Sequence, residues 1–560
     1  MNTKTDPFFV IKKRLLFIGL FLFLSCIFTQ RDCLAGRIIS QKSRPKLTPE
    51  LFQRGEALYQ KQCAVCHGPQ GGADGKAAYL LYPKPRDFIR DKFRLVSTTN
   101  MQVTEDDLFK AITRGMPGSA MPSWEHLTEE DRWALLYYVY YLAEVKNYEQ
   151  SGEITEAMKK EGIPWAIKEK IIKKPIDPQT QIAVPREPAL TKQALKRGRE
   201  LFVASCAGCH GPEGRGDGQQ AMVDNLGYPL KPRDLTAGIY KGAATSDELY
   251  RRMVGGMPGT PMPSYLEVFN EEQIWDLIHY VQSLSDPQKQ ERVRLKQSQI
   301  VAKRRKGPIE KDPTSKKWLA IKPIFVALTP LWWRNNYIEG VEVRAFHNGE
   351  KLAIHLSWTD KTQDNNIVRV QSFSDGAALQ FSREEDPAFF GMGEPGHLVH
   401  IWHWKAAWEQ TALERQDVET HYSHMGVDWY GSQKDYQQGT RGEGEQLKVL
   451  FHDPKFITGW GAGNPVSDPQ REKAEVGASE GVGTYTAQRP KMEKVEAHGL
   501  WREGTWNVVF IRSLKSSEEG TLQLREGEIT NIAFAVWDGF GEDRNGQKMV
   551  SIWNKLLLEK

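Results

Sequence analysis

Cysteine disappears from this 560-residue chain after Cys209, and residues 210–560 contain none. The longer part of the protein therefore has no disulfide framework and no thiolate-bound metal cluster, so anything held there is held by other side chains. Long apolar runs are equally scarce. The run "LLFIGLFLFLSCIF" at 15–28 falls short of the roughly 20 residues a membrane span needs. Charge is nearly balanced, with 75 Lys and Arg against 71 Asp and Glu and a formal net charge of +4. That balance excludes the strongly basic character of a nucleic-acid-binding chain. The sequence also lacks a phosphate-binding loop, a paired nucleophile and base, and a molybdenum cofactor motif.

The apolar run belongs to a leader. Lys12, Lys13 and Arg14 precede it and "CLA" ends at Ala35, the pattern of an export signal peptide over 1–35. Cleavage there removes Cys26 and Cys33, takes away a net charge of about +3, and places the mature protein in the periplasm. An uncleaved leader would instead tie the protein to a membrane.

Four cysteines remain, in two C-x-x-C-H motifs: "CAVCHGPQGGADG" at 63–75 and "CAGCHGPEGRGDG" at 206–218. This spacing attaches haem c covalently, through Cys63 and Cys66 in one copy and Cys206 and Cys209 in the other. His67 and His210 then become axial iron ligands. A zinc site would require further Cys or His ligands at finger-like spacing, and none follow. The motifs lie in a longer repeat: "YPKPRDF" (82–88) matches "PLKPRDL" (229–235), and "RGMPGSAMPSW" (114–124) matches "GGMPGTPMPSY" (255–265). A period near 143 residues denotes a duplicated domain rather than a solenoid.

Each copy reads as helix, haem motif, irregular loop, helix, and each resembles a class I cytochrome c throughout. Gly55 and Gly198 occupy matching places in the first helices, where a close helix crossing would explain a residue that helices disfavour. The "MP" followed by an aromatic residue selects Met121 and Met262 as sixth ligands, leaving Met116 and Met257 to pack the haem edge. Thioether ligation opposite histidine suits an electron carrier rather than an oxygen binder. Arg86 and Arg233, each following a proline, are candidate propionate contacts through their forked donors.

The domain plan that follows is cytochrome domains at 46–149 and 189–286, a linker at 150–188, a basic linker at 287–317, and a third domain at 318–560. The basic stretch reads as a solvated connector, with a docking strip for an acidic partner as the other reading. In the third domain the pattern changes to period two. "VEVRAFHNGEKLAIHLSW" (341–358) is two alternating runs around Asn348-Gly349, a hairpin signal, and "GTWNVVFIRSL" and "TNIAFAVWDG" add further strands. The overall fold class is thus two all-α class I cytochrome c domains followed by an all-β antiparallel sandwich.

The segments "VRAFHNGEKLAIHLSWTD", "FGMGEPG", "IWHWKAAW", "GVGTYTAQ" and "IAFAVWDGFGEDRNGQK" together resemble the haem b-binding γ subunit of periplasmic molybdenum enzymes. That group includes ethylbenzene and dimethylsulfide dehydrogenases and chlorate and selenate reductases. The resemblance implies a non-covalent haem b with Met and Lys ligands. Met392 matches the methionine, while Lys473 and Lys455 compete for the lysine. His397, His400 and His403 form a further candidate cluster. The resemblance also implies a molybdenum catalytic subunit and an iron–sulfur subunit as partners, with a soluble or membrane cytochrome as the other electron carrier. Fusion to cytochrome c resembles the haem subunit of periplasmic nitrite oxidoreductases. Two rivals remain open: a sugar-binding module with exposed Trp402, Trp404 and Trp408, and a dihaem peroxidase.

Overall fold

The computed structural model describes residues 44–174, 176–286, 288–385, 387, 392–411, 422, 424, 472–487, 494–516 and 520–560. The expected leader at 1–35 and Lys455 lie outside them. Every element below belongs to one unit, Pro49–Lys560. Among the described residues no helix is long and apolar enough to cross a membrane.

In the first repeat, α1 (Pro49–Gln62) leads into the C-x-x-C-H turn, α2 (Glu105–Arg114) follows a long loop, and α3 (Glu129–Gln150) closes the frame. Thr128 caps α3 by accepting the amide of Asp131. α1 and α3 cross where a Cβ on Gly55 would overlap the carbonyl oxygen of Ala134. The glycine is thus a packing requirement. From Ala134 to Leu142 α3 is buried all round; the linker adds α4 (Glu156–Glu161) and then α5 (Trp165–Ile172), and α5 packs against α3. The linker then returns to the first repeat, with the amide of Ile182 donating to Ser97 O at 2.8 Å.

The second repeat has the same frame: α6 (Lys192–Ser205), α7 (Ser246–Gly255) and α8 (Glu271–Ser283), the last begun by a reciprocal Asn270–Gln273 cap. Here Gly198 meets the carbonyl oxygen of Asp276. The repeat is not purely helical. The Asp224 carboxylate accepts the amides of Leu226 and Tyr228 and so turns the chain into a two-stranded ribbon, Met222–Val223 with Pro229–Leu230. The two repeats touch through buried Arg252 of α7, which donates to the carbonyls of Arg94 and Val96.

The third region is a large sheet. Its strands run in the order 486–487, 474–479, 399–405, 376–382, 529–537, 554–558, 299–304, 340–347, 351–359, 505–513 and 496–502. The predicted hairpin is present, with Asn348 Oδ1 accepting the amides of Glu350 and Lys351 across the turn. One expectation needs correcting. The basic linker is not a solvated connector, because 299–304 pairs in parallel with both 554–558 and 340–347 and joins the two halves of the sheet. Ile300 and Ala302 are buried between exposed Gln299, Val301 and Lys303, so the basic character of the stretch masks a short alternation. The two halves face each other, with Trp404 of one edge-on to Trp506 of the other at 5.1 Å. Leu352, Ile354 and Leu356 point into the core between them, as do Leu379, Phe381 and Trp402. Trp402, Trp404 and Trp408 are therefore buried, which removes the aromatic platform that the sugar-binding reading required.

Two stability predictions follow from this packing. Gly198→Ala forces α6 off α8, and overpacking of about 1–3 kcal/mol outweighs the alanine's helix preference. Thermal melts should show the loss. Asp375, fully buried, accepts from Asp364 N, Trp506 Nε1 and Gly539 N at 2.7–2.9 Å. Burial, reinforced by the charge of Asp360, nevertheless raises it to about 8. Between its unfolded value near about 4 and about 8 the folded chain holds a proton that the unfolded chain lacks, so stability falls as pH rises through that window. Urea titrations of Asp375→Asn should lose up to about 1.4 kcal/mol per pH unit of that slope.

Candidate functional site

Three cavities hold the chemistry-bearing residues. The first, about 220 Å³, is lined by Cys63, Cys66, His67, Met116 and Met121. His67 Nδ1 lies 2.9 Å from the carbonyl oxygen of Arg86. A carbonyl only accepts, so Nδ1 carries the proton and Nε2 keeps the lone pair an iron ligand needs. Phe88 stacks on the ring at 4.6 Å, and burial lowers the imidazole to about 4, so it stays neutral. The methionine loop is closed by a bond from Met116 N to Met121 O, and Gly115, at φ 72°, leaves room for the backbone of Pro122. Arg86 lines the same cavity, is paired with Asp91, and is pushed down to about 9 by burial and then by the charge of Arg94.

The second cavity, about 180 Å³, repeats the arrangement with Cys206, Cys209, His210, Met257 and Met262. Burial likewise lowers His210. Met257 N bonds Met262 O, and Gly256 sits at φ 64°. The structure thus brings both expected haem c ligand sets together. It keeps two methionines in each cavity, and none of the four described cysteines is in a disulfide. Arg233 and Lys241 line this cavity and the first one as well.

The third cavity, about 640 Å³, lies on the outward face of the sheet. Its floor is a cross-strand patch of small residues: Ala378 pairs with Ala535, and Gln380 with Ala533. Met392 packs here against Ala378, Val399, Ile401 and Trp553. Lys473 does not line the cavity. Its ammonium is bound to Glu409, which also accepts from Trp404 Nε1 and Gly499 N. The cavity's own lysines are Lys405 and Lys548. Lys548 lies 4.8 Å from the Trp537 ring centroid, has no carboxylate partner among the described residues, and is lowered to about 8 by burial. The sequence segment that carried the γ-subunit resemblance ends on this residue, and that position was the available signal. Of the three histidines, His403 lines the cavity, is lowered to about 4 by burial, and has a buried Nε2 without a partner. His397 is exposed and paired with Glu384, and neither it nor His400 lines the cavity.

A buried lysine without a counter-charge, a thioether and an orphaned imidazole nitrogen around a small-residue floor fit a large flat metal-bearing group rather than water. Residues 317–549 match the ethylbenzene dehydrogenase family, 195–285 match cytochrome c, and 50–139 match the family described as cytochrome c oxidase, cbb3-type, subunit III. The chain joins an ethylbenzene dehydrogenase-family domain to two cytochrome c domains. The ethylbenzene dehydrogenase-type domain has curated relatives. A Haloferax mediterranei protein with the provisional name respiratory nitrate reductase heme subunit ORF7 is 26% identical over 43% of this chain and 66% of its own length. Chlorate reductase subunit gamma of Ideonella dechloratans is 23% identical over 36% and 57%. Dimethylsulfide dehydrogenase subunit gamma of Rhodovulum sulfidophilum is 26% identical over 40% and 62%. The chain thus spans about three fifths of the length of these relatives.

Within each cytochrome cavity the sequence motif separates the two methionines. Met121→Ala and Met262→Ala should each remove about half of the far-red methionine–iron absorption band of the oxidised protein and lower that haem's potential. Met116→Ala and Met257→Ala should leave the band intact.

Proposed function

We propose that the chain is a three-haem electron-transfer subunit, with haem c in each cytochrome domain and haem b in the sheet cavity of a β-sandwich. Its partners are a periplasmic molybdenum enzyme with an iron–sulfur subunit on one side and a cytochrome carrier on the other. Haem supplies one-electron redox chemistry in each site, and the residues bind, orient and desolvate it. One observation carries the reading: the three cavities adjoin. In the first cytochrome, Leu80 lines the sheet cavity, while Leu81, Pro83 and Lys84 line the first haem c cavity. Arg233 and Lys241 then border both cytochrome cavities. A row of adjoining redox sites suits a relay better than a catalyst.

Met392 and Lys548 are the proposed haem b ligands, with Lys548 in place of Lys473. Lysine ligates only when neutral, and burial already favours that form. Names of relatives that handle nitrate, chlorate and dimethylsulfide support a molybdenum-enzyme partner. Nitrite oxidation is the reaction we favour for that partner, because haem c domains are fused to the γ-type domain. Export to the periplasm accords with haem c and with the leader.

A pyridine haemochrome assay with acid–acetone extraction tests the relay. Two retained c haems and one extractable b haem are expected. Met392→Ala and Lys548→Ala should lose the extractable haem and keep both c haems, while Lys473→Ala keeps all three. Folded wild-type protein replete in haem c but without haem b would sink the reading.

A further inference from the structure

We propose that Arg233 and Lys241 form one propionate clasp shared by both haem c sites, coupling the two centres electrostatically. The proposal rests on the reading above, that each cytochrome cavity holds haem c. The repeat supplies two equivalent cation pairs: Arg94 lies eight residues after Arg86, and Lys241 eight after Arg233. The structure uses them differently. Arg86 and Arg94 line only the first cavity, whereas Arg233 and Lys241 line both.

Arg233 is 8% exposed, and its Nε and Nη1 are buried without a hydrogen-bond partner. The guanidinium lies flat against Trp333, 3.9 Å from the ring centroid. Trp333 comes from the ethylbenzene dehydrogenase-type domain, and it also fills the space beside Gly118 of the first cytochrome. Arg86 and Arg94 have carboxylate partners, Asp91 and Asp224. Among the described residues Arg233 and Lys241 have none. A buried cation without an anion is costly, and the anions that belong in these cavities are the carboxylates of haem propionates. One cation pair between two cavities therefore serves both haems, with Trp333 as the positioning residue that holds the fork in place.

Removing either cation should disfavour the reduced form of both haems. The experiment is an EPR-monitored redox titration of the full chain, in which each low-spin ferric haem titrates with its own signal. Covalent haem content is measured first, and fewer than two per wild-type chain would fail the parent reading instead. With two present, Arg233→Gln and Lys241→Gln should each lower both c-haem midpoints by about a tenfold change in equilibrium, or ~59 mV for one electron. Arg233→Lys should restore most of the shift. A shift confined to the second cytochrome, or no shift in either, overturns the shared clasp. Should Arg233→Gln fail to mature, Lys241→Gln alone carries the same two-haem test.

Discussion

Two backbone hydrogen bonds hold the plan of this molecule together. Tyr82 N donates to Leu331 O at 2.9 Å, and Trp333 N donates to Tyr82 O at 2.7 Å. They make one short bridge between the loop of the first cytochrome and the strand edge of the third domain. Tyr82 also stacks on Trp332 at 5.1 Å and donates through its hydroxyl to Pro229 O of the second cytochrome. Three regions of the chain meet at one tyrosine. Loops between redox sites are usually the mobile part of a protein, and here the loop is fixed by backbone bonds whose partners lie in other domains. The adjacency of the cavities depends on that junction.

Burial acts the same way on the titratable groups around the cavities, toward their neutral forms. His67 and His403 are held neutral, Lys548 is shifted toward neutrality, and the cations without carboxylate partners face space that anionic groups can fill. None of this stabilises an empty chain. Desolvated, unpaired groups are a folding cost that a bound cofactor would offset.

Much of this was legible beforehand. The C-x-x-C-H spacing, the repeat and its methionine loops depend on local sequence, and in each repeat those residues line one cavity. Gly55 and Gly198 were readable because a helix accepts glycine only for a reason, and the reason is the contact with Ala134 and Asp276. What failed was non-local. Strand 299–304 hid in a basic stretch because its partners lie about 40 and 250 residues away in sequence. Lys473 and Lys548 are indistinguishable by composition, and the sheet register alone decides which one faces Met392's cavity. The shared role of Arg233 and Lys241 was equally hidden, since a repeat predicts equivalence and cannot reveal which copy faces its neighbour.

The parallel pairing of 299–304 with 554–558 also sets an order of assembly. The strand that joins the two halves of the sheet is made about 250 residues before its partner on one side, 554–558. Both cytochrome repeats are complete in sequence before that and can take up their haems first. The sheet of the third domain cannot close until 554–558 is made, since that strand pairs with both 299–304 and 529–537. Completion of the two cytochrome frames and closure of the sheet are thereby separated in time.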